Sequence, residues 1–198
     1  MGGAIRMTGA HSDRNEKRDF IIEKCYECYV ENGIEHTSTR SFCNAASLNI
    51  NTLYYYFDSK EEILFECVNY GYKKLEHALF EAMDNGSVSE IFSKLLNVWT
   101  GFSPEMRFLC QAVSSPAYEE QRQQQFSKVN YMYDRFGKEL AQRFGCPHKV
   151  ISPYIHEILT LMSYYSLWGS DEMASIQCNT IFQEMLDAVE TYLKQDTP

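Results

Sequence analysis

A chain of 198 residues, 44% of them hydrophobic, can bury a good core, and its length fits one ordinary domain or a small one joined to a larger one. No uninterrupted apolar run approaches the roughly 20 residues that cross a bilayer, and the seven cysteines, odd in number and without paired spacing, point to reduced thiols rather than a disulfide framework. The net charge of −9 argues against tight non-specific binding to nucleic acid, but it is unevenly spread. Residues 1–60 hold seven Lys/Arg against eight Asp/Glu, and residues 61–198 hold eleven against nineteen. Phosphate binding depends on local positive groups and oriented amides, so the total does not exclude DNA.

Residues 1–12, rich in Gly and small polar types, read as a flexible tail. The stretch Met1 to Met7 lacks the apolar core of a secretory signal, and Arg6 stands where a myristoylation motif would want Ser or Thr. A cytoplasmic location with no membrane partner is the expectation. Beyond the tail the chain reads as helices throughout, with no alternating strand pattern, so the expected class is all-α.

The first helix is predicted from about Asn15 to Asn32, with Phe20, Ile21, Cys25, Cys28 and Tyr29 inward and Gly33 as a left-handed cap. Two short helices with a turn at about Ser47 fill Ser38 to Phe57, capped by Ser38 and Asn49. Ser59 and Glu62 form a capping box that opens a long helix carrying Leu64, Cys67, Val68, Gly71 and Leu75, ended by Asn85-Gly86. Ser87 and Glu90 repeat the device ahead of Ile91, Phe92, Leu95, Trp99 and Phe102. Ser103, as a cap before Pro104, starts a short helix to about Ser114. Pro116 then opens a long one from about Ala117 to Phe144, with Phe126, Val129, Tyr133, Phe136 and Leu140 inward, closed by Gly145 and Pro147.

Ser152-Pro153 begins an eighth helix, apolar on two faces: Ile155, Ile158, Leu159, Met162 and Tyr165 on one, Tyr154, Leu161, Tyr164 and Trp168 on the other. Gly169 closes it, and Asp171-Glu172 open a last helix with Ala174, Cys178, Ile181, Met185, Ala188 and Tyr192. A helix apolar all round must be covered all round, and the chain has little left to do so. A second copy is therefore expected to cover both helices, giving a homodimer with Tyr154, Leu161, Tyr164, Trp168, Ile181 and Met185 in its interface.

The informative stretch is Thr37 to Lys60. Phe42, Ala46, Leu48, Leu53 and Phe57 are spaced to hold the two short helices together and pin them to the first. That leaves Ile50, Asn51, Thr52, Tyr54, Tyr55 and Tyr56 around the start and exposed side of the second, a set of amides, hydroxyls and phenols suited to a major groove. The bland reading is a helical hairpin whose tyrosines merely pack.

Thr52-Leu53-Tyr54-Tyr55-Tyr56-Phe57 followed by Ser59-Lys60-Glu61-Glu62-Ile63-Leu64 resembles the signature of the tetracycline-repressor (TetR) family of transcriptional regulators, over about a quarter of the chain. The resemblance implies a three-helix helix-turn-helix DNA-binding domain over residues 13–58 and a helical regulatory and dimerisation domain over 59–198. It also implies a DNA-contacting set of Ser38, Thr39, Arg40, Asn49, Asn51, Thr52, Tyr54, Tyr55, Tyr56 and Lys60. Within that set, Ser38, Thr39 and Arg40 would touch phosphate, Asn51, Thr52 and Tyr55 would face bases, and Tyr54, Tyr56 and Lys60 would hold the backbone. The sequence departs from the family pattern at Ser47, usually Gly, which strains the turn, and at Asn51, usually a smaller residue, which leaves the operator sequence open.

A cavity for a small-molecule effector is expected among Trp99, Phe102, Met106, Asn130, Tyr133 and His156, against the plainer reading that they fill the core. Cys25-x-x-Cys28 reads as core, because both thiols sit on the inward face and no second pair completes a metal site. Thiol sensing by Cys67, Cys110, Cys146 or Cys178 would need exposure and a depressed pKa. With no phosphate loop, nucleophile elbow or metalloprotease pattern, neither catalytic residues nor a cofactor nor a metal is expected. The expected function is a dimeric, ligand-responsive repressor on a palindromic double-stranded operator. The alternative is an all-helical ligand-binding or protein-interaction module that no longer reads DNA, favoured by the local charge of −1.

Overall fold

The computed structural model describes residues 5–83 and 87–195, and every regular element among them is helical. The first three helices are α1 (Ile5–Asn32), α2 (Thr39–Ala45) and α3 (Ile50–Tyr56). Then follow α4 (Lys60–Ala82), α5 (Val88–Gly101), α6 (Ser103–Ser114), a single 3₁₀ turn at Pro116–Tyr118, α7 (Arg122–Phe144), α8 (His148–Trp168) and α9 (Asp171–Gln195). Among the described residues no helix is long and apolar enough to cross a membrane.

α1 packs on α2 along one side and on α4 and α6 along the other. That double duty explains why its buried face, which includes Ile21, Ile22, Cys25, Tyr26, Cys28 and Tyr29, is wider than a single stripe. Phe20, expected inward, is instead 39% exposed and lies beneath the ammonium groups of Lys17 and Lys24. The helix also begins about ten residues before its expected start. Of the tail expected at 1–12, residues 1–4 lie outside the described residues, and 5–12 continue α1. The poorest helix former in that extension is Gly9, which costs about 1 kcal/mol. Adding turns to an existing helix avoids the nucleation cost and offsets it.

Arg18 joins α1 to α4. Its guanidinium donates to Glu62 at 3.2 Å and Glu66 at 2.9 Å, and sits over the Phe57 ring. This changes the expected capping box at the start of α4. Ser59 Oγ does accept from the Glu62 amide, but the Glu62 carboxylate accepts from the Asp58 amide and Arg18 rather than from Ser59. α4 ends at Ala82, so its expected stop at Asn85-Gly86 falls outside the described residues. Ser87 and Glu90 do form the reciprocal box at α5.

Further along the chain the helix boundaries depart from those the prolines predict. Phe102, not Ser103, is the N-cap of α6, with Ser103 buried in the first turn. Pro116 opens only a 3₁₀ turn, because Arg122 donates back to the carbonyls of Val113 and Ser115 and Tyr118 is drawn into the core beside Phe65. α7 therefore starts at Arg122, and Phe126, expected inward, is 65% exposed. α8 begins at His148, leaving Pro153 inside the helix. The His148 ring rests against Gly137 of α7, where a Cβ would come within 3.1 Å of it, and this docks the extra turn. Gly145 and Gly169 adopt the left-handed conformation that ends α7 and α8, with φ of 68° and 64°.

α8 packs against α6, α7 and α9 and forms the axis of the larger half. Ile155, Ile158, Leu159 and Met162 are buried as expected. α9 packs on α8 through Ala174, Cys178, Ile181, Met185 and Val189, and the Cys178 thiol donates to the Ile158 carbonyl. Ile181 and Met185 are thus consumed by the protomer's own core, contrary to their expected place at a subunit interface. The α8–α9 pair instead exposes Tyr164, Leu167, Trp168, Met173 and Ile176, with Tyr154 and Leu161 half-buried beside them.

Candidate nucleic-acid interface

The geometry begins with Thr37, buried in the loop after α1, whose hydroxyl donates to the carbonyls of Cys28 and Gly33 and so fixes where the chain leaves that helix. Ser38 then caps α2 by accepting from the Ser41 amide, and Ser41 returns the contact to the Ser38 amide. Thr39 is half-buried and Arg40 exposed at the start of α2.

Phe42, Ala46, Leu53 and Phe57 are buried and Leu48 is half-buried, so the apolar side of α2 and α3 is pressed onto α1. Phe42 meets Tyr29 edge-on at 5.1 Å. Between the helices, Ser47 has φ of 53°, the left-handed conformation a glycine would adopt without steric cost. Asn49 caps α3, its amide oxygen accepting from both the Thr52 amide at 2.9 Å and the Thr52 hydroxyl at 3.1 Å.

With its inner side fixed, α3 turns Ile50, Asn51, Tyr54 and Tyr55 to solvent, and Thr52 and Tyr56 are half-exposed. Tyr55 is 64% exposed and packs edge-on against Tyr56 at 5.1 Å. The expected DNA-contacting residues lie on α2, α3, their caps and the start of α4, with one qualification of role. The Lys60 ammonium donates to the Thr37 carbonyl at 2.6 Å and so ties the start of α4 to the loop before α2. One neighbour carried no signal in the sequence: Arg14 of α1, whose guanidinium carbon stands 5.0 Å from the Tyr55 ring centroid. Helix α1 had been expected to start beyond it.

The six residues expected to line an effector cavity do not share one. A cavity of about 40 Å³ lies between α5, α7, α8 and α9, and of the six only Trp99 reaches it. Trp99 is buried, and its indole N–H has no hydrogen-bond partner among the described residues. Met106 is core, Phe102 lies under the Lys74 ammonium of α4, the Asn130 amide donates to the Phe126 carbonyl, and Tyr133 and His156 pack edge to face. α5 stops at Gly101; Phe102 caps the junction and Met106 belongs to α6, so neither shares the helix that carries Trp99. The walls are otherwise apolar, including the parallel Phe92–Phe182 stack at 3.7 Å, with Arg143 at the edge.

Burial pushes the thiols of Cys25, Cys110 and Cys178 up to about 12, 11 and 11, and raises those of Cys28, Cys43, Cys67 and Cys146 as well. That is the reverse of the depressed pKa a reactive cysteine needs. Among the described residues no group of three or more His, Cys, Asp or Glu side chains is arranged to hold a metal ion.

Residues 21–67 match the family model for bacterial regulatory proteins of the tetR family. The TetR-family transcriptional regulator PfmR from Thermus thermophilus is 22% identical, with a TM-score of 0.59 over 82% of this chain and 97% of that one. A transcriptional regulator from Rhodococcus sp. RHA1 is 14% identical, with a TM-score of 0.57 over 90% of this chain and 96% of the other. A TetR-family transcriptional regulator from Streptomyces coelicolor is 13% identical, with a TM-score of 0.58 over 87% and 99%. No curated protein matches the sequence.

Proposed function

We propose that this chain, which matches the tetR-family N-terminal domain over residues 21–67 and shares its fold with transcriptional regulators, is a homodimeric, ligand-responsive repressor that binds a palindromic double-stranded operator. The observation that carries the reading is the split character of α3. Leu53 is fully buried, while Asn51, Tyr54 and Tyr55 are turned to solvent. Amide, hydroxyl and phenol groups held rigidly from behind can donate to and accept from base edges and phosphates in a major groove. Ser38, Thr39 and Arg40 at the start of α2 contact the phosphates alongside, and the Asn49–Thr52 pair holds the first turn of α3 in register.

The unpaired apolar face of α8 and α9 supports the dimer. Trp168 is 71% exposed, with Tyr164 beside it at 6.1 Å between ring centroids, an arrangement water penalises and a second copy would cover. Two reading heads related by a twofold axis then meet successive major grooves about 34–36 Å apart. In this conformation the cavity beside Trp99, about 40 Å³, has room for only a few waters, so a mostly apolar effector that offers a hydrogen-bond acceptor to the indole N–H would enter by parting the helices around it. It acts by favouring a conformation in which the two heads are wrongly spaced, with leverage set by its differential affinity for the two states.

The test is a gel shift, at stated salt, against DNA upstream of the protein's own gene and against duplexes selected from a random pool. Replacing Thr52 and Tyr55 together with Ala is expected to abolish binding and leave the oligomeric state unchanged. Undiminished binding by the double variant refutes this reading head.

A further inference from the structure

We propose that the exposed edge of α1 is a second DNA-contacting element, in which Arg14 and Lys17 neutralise backbone phosphates beside α3 and Arg14 also braces the Tyr55 ring. The inference rests on the DNA-reading role of α3 and extends it to residues outside the helix-turn-helix pair.

Binding to a duplex needs positive side chains free to replace condensed counterions, and residues 1–60 supply seven Lys/Arg. Three are already engaged within the fold: Arg18 with Glu62 and Glu66, Lys24 with Glu27 at 2.7 Å, and Lys60 with the Thr37 carbonyl. The Arg6 side chain lies outside the described side chains. Arg14, Lys17 and Arg40 remain, all exposed and none in an ion pair among the described residues. Arg40 belongs to α2, so among the described side chains of residues 1–60, two of the three cations available to phosphate stand on α1.

Their position fits the role. Arg14 and Lys17 are three residues apart, which sets them on one face of the helix, and that face borders α3. The Arg14 guanidinium lies over the Tyr55 ring at 5.0 Å. Lys17 shares a shallow surface groove with Asn44, Ser47, Asn49 and Thr52, and its ammonium sits over the Phe20 ring at 4.8 Å. That contact accounts for an exposed phenylalanine on a helix with ample core to fill. A guanidinium over an exposed tyrosine restricts the ring through cation–π attraction while leaving its N–H donors free for a phosphate oxygen.

The experiment uses the full chain and a fluorescent duplex enriched by the wild-type protein from a random-sequence pool. Binding is followed by anisotropy over a salt titration. Each of Arg14→Ala and Lys17→Ala is expected to make the slope of log K against log salt shallower by about 0.9, which corresponds to roughly eightfold weaker binding near 0.1 M salt. The double variant is expected to lose the sum. Lys24→Ala, on the same helix but paired with Glu27, is expected to leave the slope unchanged. Far-UV circular dichroism melts matching the wild type establish that these surface variants fold. Unchanged slope and affinity in both single variants overturn the proposal and leave α3 as the reading head. Failure of the wild-type protein to enrich any duplex overturns the reading head and this proposal together.

Discussion

Gly71 sits in the middle of α4, where α1 and α6 close on it, and Gly71→Ala sets two measurable effects against each other. Alanine is the better helix former by about 1 kcal/mol, so on an open surface the substitution would stabilise. Here a Cβ would stand 2.8 Å from Cε2 of Tyr26 and 2.9 Å from Cδ2 of Leu109, both inside the distance real Cβ atoms keep. Leu109 can turn the end of its side chain. The Tyr26 ring cannot yield so easily, because it is buried and held edge-on by Tyr70 at 5.1 Å and Phe108 at 5.7 Å. Overpacking of this kind costs about 1–3 kcal/mol, and with two contacts the upper half of that range applies. The net is a loss of about 1–2 kcal/mol, which for a chain of this size lowers the melting temperature by about 3–6 °C. Thermal melts followed by far-UV circular dichroism read this directly. In a double-mutant cycle, Leu109→Ala should cost less in the Gly71→Ala background than in the wild type, because it relieves one clash. A melting temperature above that of the wild type would show that helix propensity wins and that α1, α4 and α6 are not closely packed at this point.

Other consequences can be measured in the same way. Ser47→Gly removes the penalty of about 1–2 kcal/mol for a side chain in the left-handed conformation and adds back about 0.5–1 kcal/mol of unfolded-state entropy. A rise in melting temperature of about 2 °C is expected, and a fall would mean that the turn does not hold φ near 53°. Trp168 exposes 71% of its surface, on the order of 180 Å², so covering it contributes about 4.5 kcal/mol per protomer. Sedimentation velocity should find a dimer in the wild type and a monomer in Trp168→Glu combined with Tyr164→Glu; a variant that remains dimeric would move the interface elsewhere.

Local signals in the sequence were sufficient for the helical class and for the two-faced character of α3. Caps and left-handed stops act within a few residues, so Ser38, Asn49, Ser87, Gly33, Gly145 and Gly169 do in the structure what their neighbours predict. The alternation of buried Phe42, Leu53 and Phe57 with exposed Asn51, Tyr54 and Tyr55 is likewise a matter of helical spacing. Proline misled at Pro116 and Pro153, because its local preference for a helix start gave way to Tyr118 entering the core and to the docking of His148 on Gly137.

What the sequence could not decide is which of several apolar faces meets which. α9 carries apolar residues on more than one side, and only its packing on α8 commits Ile181 and Met185 to the protomer's interior and leaves Met173 and Ile176 outside. The same holds for the cavity: Trp99 and Phe102 are three residues apart in sequence, yet α5 ends at Gly101 between them, and Trp99 lines the cavity while Phe102 lies under Lys74. Arg14 reaches Tyr55 across more than forty residues of chain, a contact without local signature. Hydrogen bonds and rotamer limits that act over one turn of helix leave a periodic trace in the sequence. Burial is settled by the summed contacts of all the helices together, and that sum exists only once the chain has folded.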